Sequence, residues 1–278
     1  MYSGRAISRN VRRGDRKFDI EGGIQAGTHT LGVTWGYGSE EELRTAGAER
    51  IAHTAREAAE IICPGAEVPK GAFLSMEGLD GSGKSTQIEK LTNKLEQYGF
   101  EVVHSREPGG TPIGEKIREI LLDRNNAEMT DITEALLYAA GRAQHVREKI
   151  RPTVAEGKVL LCDRFLDSSV AYQGGGRQLG VDRVLAINEP AVDGMLPLAT
   201  VYLDLDHRAS LQRRSAASEL DRLEMEQEAF HARVEEGYHA LIARNPERYV
   251  VVDARGDRDE IAKTIAGAVL ERLMANEE

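Results

Sequence analysis

Short apolar runs alternate with amphipathic stretches over most of the chain after about residue 70. The runs rich in valine and leucine predict buried strands at residues 72–77, 101–105, 158–163, 200–205 and 248–253. The stretches between them carry apolar residues three or four positions apart, as in the helix predicted for residues 84–98. Strands separated by helices form right-handed βαβ units around a parallel sheet that is covered on both faces. The pattern therefore predicts a three-layer α/β domain with a parallel sheet.

A short segment separates this pattern from the residues before it. Residues 64–70 contain two prolines and a glycine, which is typical of a linker. We therefore predict a first region at residues 1–63, a linker at residues 64–70 and an α/β domain at residues 71–278.

Composition narrows the class of protein. The 278 residues carry a net charge of −10, which disfavours a dedicated nucleic-acid binder because such proteins need a basic face. No apolar run reaches the eighteen or so residues of a membrane helix. Only two cysteines, Cys63 and Cys162, are present, and this suits the reducing cytoplasm. We expect a cytoplasmic protein that engages neither membrane nor nucleic acid.

A glycine-rich turn follows the strand at residues 72–77. It matches the pattern G-x-x-x-x-G-K-[ST] and consists of Gly78, Leu79, Asp80, Gly81, Ser82, Gly83, Lys84 and Ser85, with Thr86 next. Between a strand and a helix, such a loop turns its amide N–H groups toward a triphosphate, and the helix adds its positive dipole end. Lys84 is expected to reach the transferred phosphate and the Ser85 hydroxyl to bind Mg²⁺.

A second candidate for metal binding ends the strand at residues 158–163. Asp163 stands where parallel strands end beside the loop, so its carboxylate can hold Mg²⁺ through the water shell of the ion. The two features together indicate a nucleotide-dependent phosphoryl transferase or hydrolase.

Four motifs in order give the region a family resemblance. They are residues 77–86 (EGLDGSGKST), 106–111 (REPGGT), 138–142 (YAAGR) and 163–177 (DRFLDSSVAYQGGGR). Residues 72–278 resemble thymidylate kinases. The resemblance implies transfer of the γ-phosphoryl group of ATP to dTMP, giving dTDP, with Mg²⁺ as cofactor and a homodimer as the assembly.

The resemblance also implies roles for individual residues. Tyr138 matches the aromatic residue that stacks on thymine. Arg142, one helical turn later, matches the arginine that forms hydrogen bonds with the base edge. Asp80 would contact the sugar 3′-hydroxyl, Tyr172 would lie under the sugar, and Arg164 would bridge the phosphates of the two nucleotides. Further residues of the dTMP site would be Pro108, Arg118, Ser168 and Gln173, and Arg213 would belong to the ATP site.

One catalytic arginine is assigned from the glycine run at residues 174–177. The sequence Gly-Gly-Gly-Arg predicts a mobile lid within about residues 165–180 that carries Arg177 to the reacting phosphates. An arginine at the transition state is worth a factor of about 10³ to 10⁵ in rate. The phosphate loop offers no arginine among its variable positions, so Lys84, Arg164 and Arg177 form the predicted catalytic set.

The first region has a different resemblance. Residues 14–19 (GDRKFD) and 31–43 (LGVTWGYGSEEEL) resemble the C-terminal part of haloacid-dehalogenase-type phosphatases close to phosphoglycolate phosphatase, where Asp15 and Asp19 would match an Mg²⁺-binding motif. No aspartate precedes Gly14, and residues 8–13 (SRNVRR) predict no strand. We therefore expect a truncated, non-catalytic remnant.

Three alternatives to a dTMP kinase stay open at this stage. The acceptor could be another nucleoside monophosphate, the chain could be a bifunctional phosphatase–kinase, or it could be an inactive nucleotide-binding scaffold. Joint presence of Lys84, Ser85, Asp163, Arg164 and Arg177 argues against the scaffold.

Overall fold

The computed structural model describes residues 11–34, 38–53, 55–62, 71–215 and 221–276. By its contacts the chain divides into two compact units. One contains residues 1–70 and 92–102, and the other contains residues 71–91 and 103–278. The linker predicted at residues 64–70 lies outside the described residues.

The N-terminal part forms a small parallel sheet with three helices. In order, its elements are β1 (Val11–Gly14), α1 (Lys17–Gln25), β2 (His29–Val33), α2 (Glu40–Thr45), β3 (Arg50–Ala52) and α3 (Ala55–Ile62). The strand order is β1-β2-β3, with both pairs parallel. Leu31 and Val33 of β2 pack with Ala52 and Ala58 in a core of this unit's own.

The strand β1 corrects one expectation from the sequence. Residues 8–13 predicted no strand because they are polar, yet Val11–Gly14 pairs with β2 in a register from Val11 opposite His29 to Gly14 opposite Gly32. Backbone hydrogen bonds along β2 form this strand without an apolar run, which is why side-chain patterning did not indicate it.

From residue 71 onward the chain has the predicted alternation. Its elements are β4 (Ala72–Glu77), α4 (Lys84–Gln97), β5 (Val102–Arg106), α5 (Pro112–Leu122), α6 (Asp131–His145), a π-helix (Val146–Ile150), α7 (Arg151–Ala155), β6 (Val159–Asp163), α8 (Leu166–Ser169), a second π-helix (Val170–Gly176), α9 (Val181–Val192), β7 (Ala199–Asp204), α10 (His207–Ser215), α11 (Glu228–Arg244), a 3₁₀ turn (Pro246–Arg248), β8 (Tyr249–Asp253) and α12 (Arg258–Ala275). Each of the five predicted strands is present within one residue of its expected bounds.

The order of these strands positions the site. The sheet runs β5-β6-β4-β7-β8, and β4 pairs in parallel with both β6 and β7. The chain thus forms β5 and β6 on one side of β4 and then crosses to form β7 and β8 on its other side. In such sheets the crevice outside the carboxyl ends at this switch point binds ligands. Glu77 ends β4 and Asp163 ends β6, so both lie at this edge.

The glycine run at residues 174–176, which we interpreted as part of a mobile lid, is helical in this structure. Val170–Gly176 form a π-helix in which Gly174 and Gly176 are buried. A Cβ on Gly176 would lie 2.6 Å from the Phe230 ring, and one on Gly175 would lie 2.8 Å from the Arg233 carbonyl oxygen. The glycines therefore permit close packing against α11, and composition alone could not distinguish that role from flexibility.

The described ranges contain no helix with the length and apolar character needed to cross a lipid bilayer.

Candidate active site

The phosphate loop connects β4 to α4 as the sequence pattern predicts. Gly78 has a φ of +137°, and a Cβ there would lie 2.8 Å from the Leu203 carbonyl oxygen, so both conformation and space require glycine. The helix α4 begins at Lys84, which directs its positive dipole end into the loop.

Lys84 lies with its ammonium group inside the loop. Its Nζ donates to the carbonyl oxygens of Gly78 at 3.1 Å and Leu79 at 3.0 Å, and lies 3.7 Å from Asp80 Oδ1. Burial, together with the nearby charge of Arg164, lowers the pKa of Lys84 below its usual value. The group is thus a buried positive charge within the loop, which suits an anionic phosphate.

A cavity of about 450 Å³, here called the loop cavity, opens beside this lysine. Its lining includes Lys84, Ser85, Thr86 and Asp163. The Oδ1 atom of Asp163 is buried and has no hydrogen-bond partner among the described residues. A carboxylate and a hydroxyl fit Mg²⁺, which takes one or two protein oxygens and completes its shell with water and phosphate. No cluster of three or more metal-ligating side chains occurs in the described ranges, and such a site needs none.

A second cavity of about 210 Å³, here called the tyrosine cavity, contains most of the predicted dTMP residues. Its lining includes Pro108, Tyr138, Arg142, Ser168, Tyr172 and Gln173. Asp80, Glu107, Arg118 and Arg164 line both cavities. A ligand in one cavity and a ligand in the other would therefore share these four charged side chains.

Arg164 stands at the junction of the two cavities. Its Nη2 donates to Asp80 Oδ1 at 2.5 Å, its Nη1 donates to Ser168 Oγ at 3.1 Å, and its guanidinium lies over the Tyr172 ring at 5.1 Å. Its φ of +67° places it in the left-handed region, which a residue with a Cβ seldom occupies. Such strain occurs chiefly at functional sites, where the surroundings hold it in place.

Asp80 faces the same junction from the phosphate loop. Burial alone would raise the pKa of Asp80, but the charges of Arg164 and Lys84 lower it well below the usual range. Tyr172 OH also donates to Asp80 Oδ2 at 3.1 Å. Asp80 is thus ionised and oriented as a hydrogen-bond acceptor.

Tyr138 and Arg142 lie on one face of α6, as their spacing predicts, but Arg142 is far more buried than expected. Its guanidinium donates to Glu107 Oε2 at 2.8 Å, to Asn188 Oδ1, to the Phe165 carbonyl oxygen at 3.0 Å and to Ser169 Oγ at 3.1 Å. These bonds use four of the five N–H groups of the arginine and leave one for a ligand.

The remaining acceptor-side residues are also in place. Arg118 Nη1 on α5 donates to the Pro108 carbonyl oxygen at 2.9 Å, and the Glu107–Pro108 peptide is cis. The buried Gln173 Nε2 donates to Glu134 Oε1 at 2.8 Å, which fixes the amide at the wall of the tyrosine cavity.

Within the phosphate loop, Gly78, Leu79 and Ser82 line neither cavity, and two predicted residues outside the loop are not brought to the cavities either. Arg177 lines neither one, because its guanidinium is held by Glu134 at 3.1 Å, Glu226 at 2.5 Å and Asp131 at 3.6 Å. Arg213 on α10 also lines neither cavity and donates to the Ala254 carbonyl oxygen at 3.3 Å.

The sequence reasoning assigned no role to several residues that belong to the site. Glu107 is buried, pairs with Arg142 and His145, and lines both cavities. Glu77 is also fully buried, and burial together with the Asp167 carboxylate raises the pKa of Glu77 to about 7. An acid at the end of a buried strand was the available signal, the same one that identified Asp163. The other lining residues that were missed are Leu122, Phe165, Ser169, Asp221, Leu223 and Glu224 in the tyrosine cavity and Arg106 in the loop cavity.

Comparison with known proteins agrees with this geometry. The thymidylate kinase family profile matches residues 76–265. The chain is 47% identical over 206 residues to the thymidylate kinase of Geobacillus sp. (strain WCH70), covering 73% of this chain and 98% of that protein. It is 52% identical over 187 residues to that of Pelotomaculum thermopropionicum, covering 66% of this chain and 86% of that protein. The solved thymidylate kinase from Ehrlichia chaffeensis superimposes with a TM-score of 0.59 at 30% identity, covering 73% of this chain and 99% of that one.

The phosphate loop lies at the switch point of a parallel sheet, beside two cavities that share cationic side chains. This arrangement defines a nucleotide-binding phosphotransferase. The family match and the identity to relatives over nearly their full length make the assignment specific. The chain belongs to the thymidylate kinase family.

Proposed function

We propose that the two cavities divide the thymidylate kinase reaction between them. The chain phosphorylates dTMP with ATP, and the loop cavity takes the triphosphate while the tyrosine cavity takes dTMP. An oxygen of the dTMP phosphate attacks the γ-phosphorus, a new P–O bond forms, and the bond to the β–γ bridging oxygen breaks to release ADP. The observation that carries this division is the shared lining, because Arg164 and Arg118 border both cavities.

On the donor side, the loop amides and Lys84 hold the phosphates. The ammonium group balances charge that moves onto the bridging oxygen as the bond breaks. We further propose that Ser85 and Asp163 hold Mg²⁺, supported by the unpartnered Asp163 oxygen beside the loop. Bound Mg²⁺ would neutralise phosphate charge and orient the triphosphate.

On the acceptor side, Tyr138 stacks on the base and the remaining N–H of Arg142 meets the base edge. Asp80 accepts from the sugar 3′-hydroxyl, with Tyr172 beneath the sugar. Arg118 contacts the acceptor phosphate, while Pro108, Ser168 and Gln173 complete the wall. The support for these roles is that all eight side chains line one cavity.

The catalytic role expected for Arg177 is not retained. Three carboxylates engage its guanidinium, and it lies outside both cavities. Arg164 is the arginine that can stabilise charge between the two nucleotides, since it borders both cavities. Arg213 keeps an ATP-side assignment only through the family resemblance.

We also propose a homodimer that forms through α5 and α6. These helices pack together and expose Ile113, Ile120 and Leu136, each about half accessible. Light scattering on the Leu136→Glu variant should show monomers where the parent chain shows dimers. Met274→Glu, which changes an equally exposed residue on α12, is the control and should leave the mass unchanged. A parent chain of monomer mass would contradict the proposal.

The N-terminal region is proposed to lack phosphatase activity. Asp19 Oδ2 accepts the Arg16 N–H at 3.3 Å, which places this carboxylate at the start of α1 as a cap. Release of inorganic phosphate from phosphoglycolate by the purified chain would contradict this.

A cytoplasmic location is proposed from cysteine usage alone and is tested by cell fractionation.

The acceptor specificity is tested by measuring kcat/KM for dTMP, dUMP, the ribose analogue of dTMP, CMP, GMP and AMP in parallel with ATP and Mg²⁺. The highest value for dTMP supports the assignment of the tyrosine cavity. A preference for another acceptor would change the substrate assignment but leave the assignment as a kinase intact. ATP binding without turnover on any acceptor would favour an inactive nucleotide-binding scaffold.

A further inference from the structure

Glu77 is a buried carboxyl group that the reaction described above does not use. It ends β4 directly before the phosphate loop, is 0% exposed, and lines neither cavity. Three donors from the segments after β6 and from α11 converge on it. The Phe165 N–H donates to Oε1 at 2.7 Å, and the hydroxyls of Ser168 and Tyr238 donate to Oε2 at 2.6 and 2.9 Å.

The same two hydroxyls hold the guanidinium of Arg164. Its Nη1 donates to Ser168 Oγ at 3.1 Å and to Tyr238 OH at 3.2 Å. A hydroxyl has one proton and two lone pairs. When both protons point to the Glu77 carboxylate, both oxygens present lone pairs to Arg164. The carboxylate thus fixes the orientation of two acceptors that the arginine needs.

Glu77 also acts on the backbone of Arg164. The residue has a φ of +67°, and the two peptide N–H groups around it are both bonded to β4. The Arg164 N–H donates to the Met76 carbonyl oxygen at 3.0 Å, and the next N–H, that of Phe165, donates to Glu77. These bonds hold a left-handed conformation that is strained for a residue with a Cβ.

We propose that Glu77 is a positioning residue that holds Arg164 between the two cavities through both its backbone and its hydroxyl partners. The proposal rests on the proposed function in one respect, namely that Arg164 contacts the phosphates of both nucleotides. Glu77 itself touches no substrate, so its loss acts on turnover through the placement of the arginine.

Glu77→Gln is the direct test, because glutamine keeps the shape but has only one acceptor oxygen. If that oxygen meets the Phe165 N–H, the new NH₂ group faces the two hydroxyls. One hydroxyl can donate to the other at 2.8 Å, but the remaining proton then faces either the NH₂ group or Arg164. If the oxygen meets the hydroxyls, the NH₂ group opposes the Phe165 N–H. In either orientation one N–H or O–H donor faces another donor instead of an acceptor, within the hydrogen bonds that hold Arg164.

The assay is run at pH 8, above the pKa of about 7 of Glu77. The kcat of the variant should fall by about 10- to 100-fold, because misplacement of a catalytic group by about 1 Å causes a loss of this size. The KM for ATP should change less than about twofold, because the loop contacts are intact. Ser75→Ala is the matched control: it removes another fully buried polar group of β4, bonded to Thr200, and should leave kcat within about twofold.

Coupling to Arg164 separates positioning from a general structural effect. In an Arg164→Ala background, Glu77→Gln should reduce residual kcat by less than about twofold, since the arginine that it positions is absent. Equal losses in both backgrounds would overturn the proposal, as would a single variant within twofold of the parent kcat. If Glu77→Gln does not fold, Tyr238→Phe, which removes one hydroxyl of the same support, replaces it in the same comparison.

Hydrogen exchange gives a readout that does not depend on turnover. Glu77→Ala, which leaves the Phe165 N–H without its side-chain acceptor, should accelerate exchange of the Phe165 amide relative to the Ser75→Ala control. Unchanged protection would overturn the backbone part of the proposal even in an inactive chain. Absence of dTMP phosphorylation by the parent chain, with faster Phe165 exchange in the variant, would instead contradict the proposed function and leave the support of Arg164 standing.

Discussion

Replacing Arg142 by methionine tests whether the buried pair with Glu107 organises the acceptor side of the site. The side chains of Arg142 and Glu107 are 1% and 4% exposed, and their closest atoms lie 2.8 Å apart. Methionine fills similar volume but removes the positive charge. Among the residues that the structure describes, the Glu107 carboxylate then keeps only His145 as a side-chain partner, at 2.9 Å. The Phe165 carbonyl and Asn188 also lose their donor.

The expected loss follows from these contacts. Removing one partner of a buried ion pair costs about 3–5 kcal/mol, because the other charge stays in a medium that solvates it poorly. We expect Arg142→Met to lower the free energy of unfolding by that amount. Arg147→Met, five residues later, breaks only an exposed pair with Asp193 and should cost less than about 1 kcal/mol.

Urea denaturation at one fixed protein concentration measures both variants. The double variant Arg142→Met/Glu107→Gln should recover at least about 1 kcal/mol, because it removes the uncompensated charge. The dTMP KM should rise in both variants that lack Arg142. An unfolding free energy for Arg142→Met within 1 kcal/mol of the parent chain would refute the reasoning.

Three further predictions concern the phosphates, the glycine-rich helix and the N-terminal residues. Lys84→Met should lower kcat by about 10² to 10³ with unchanged circular dichroism, and near-parental turnover would contradict its role. Arg177→Ala should lower the free energy of unfolding by about 1–3 kcal/mol while kcat stays within a few-fold, since it stands among carboxylates outside the cavities. A large fall in kcat with unchanged stability would restore the catalytic assignment. A chain that begins at Gly71 should keep the kinase activity of the full chain, because relatives match over 98% of their length without the preceding residues. A folded, inactive truncation would show that those residues are needed.

The sheet could be predicted from the sequence because its strands are buried on both faces. Continuous apolar runs such as residues 158–163 then stand out between amphipathic helices, and each strand is found within one residue of its prediction. The strand at Val11–Gly14 could not be predicted in this way. Its formation depends on backbone pairing with β2, which leaves no pattern in the side chains.

The position of the phosphate loop could be predicted from the spacing of its residues because the whole motif lies within ten residues. Glycine conformations, the start of a helix and a lysine at a fixed offset are all local properties. The junction of the cavities, in contrast, depends on residues far apart in sequence. Arg164 meets Asp80 across 84 positions and Tyr238 across 74, and no periodicity encodes those contacts.

The role of the glycine run at residues 174–176 depended on its tertiary surroundings. Three glycines are equally compatible with a flexible loop and with a helix that must approach another backbone closely. At Gly175 and Gly176, residues of α11 occupy the space where the side chains would be. The same packing places Arg177 beside Glu134, a buried carboxylate whose position the sequence did not indicate.

Transfer of the labelled γ-phosphoryl group of ATP to dTMP tests the central claim most directly. The purified full chain is incubated with γ-labelled ATP, Mg²⁺ and dTMP, and the products are separated and counted. Our account predicts label in dTDP in a one-to-one ratio with ADP. Label released as inorganic phosphate, or ADP formed without labelled dTDP, would contradict it.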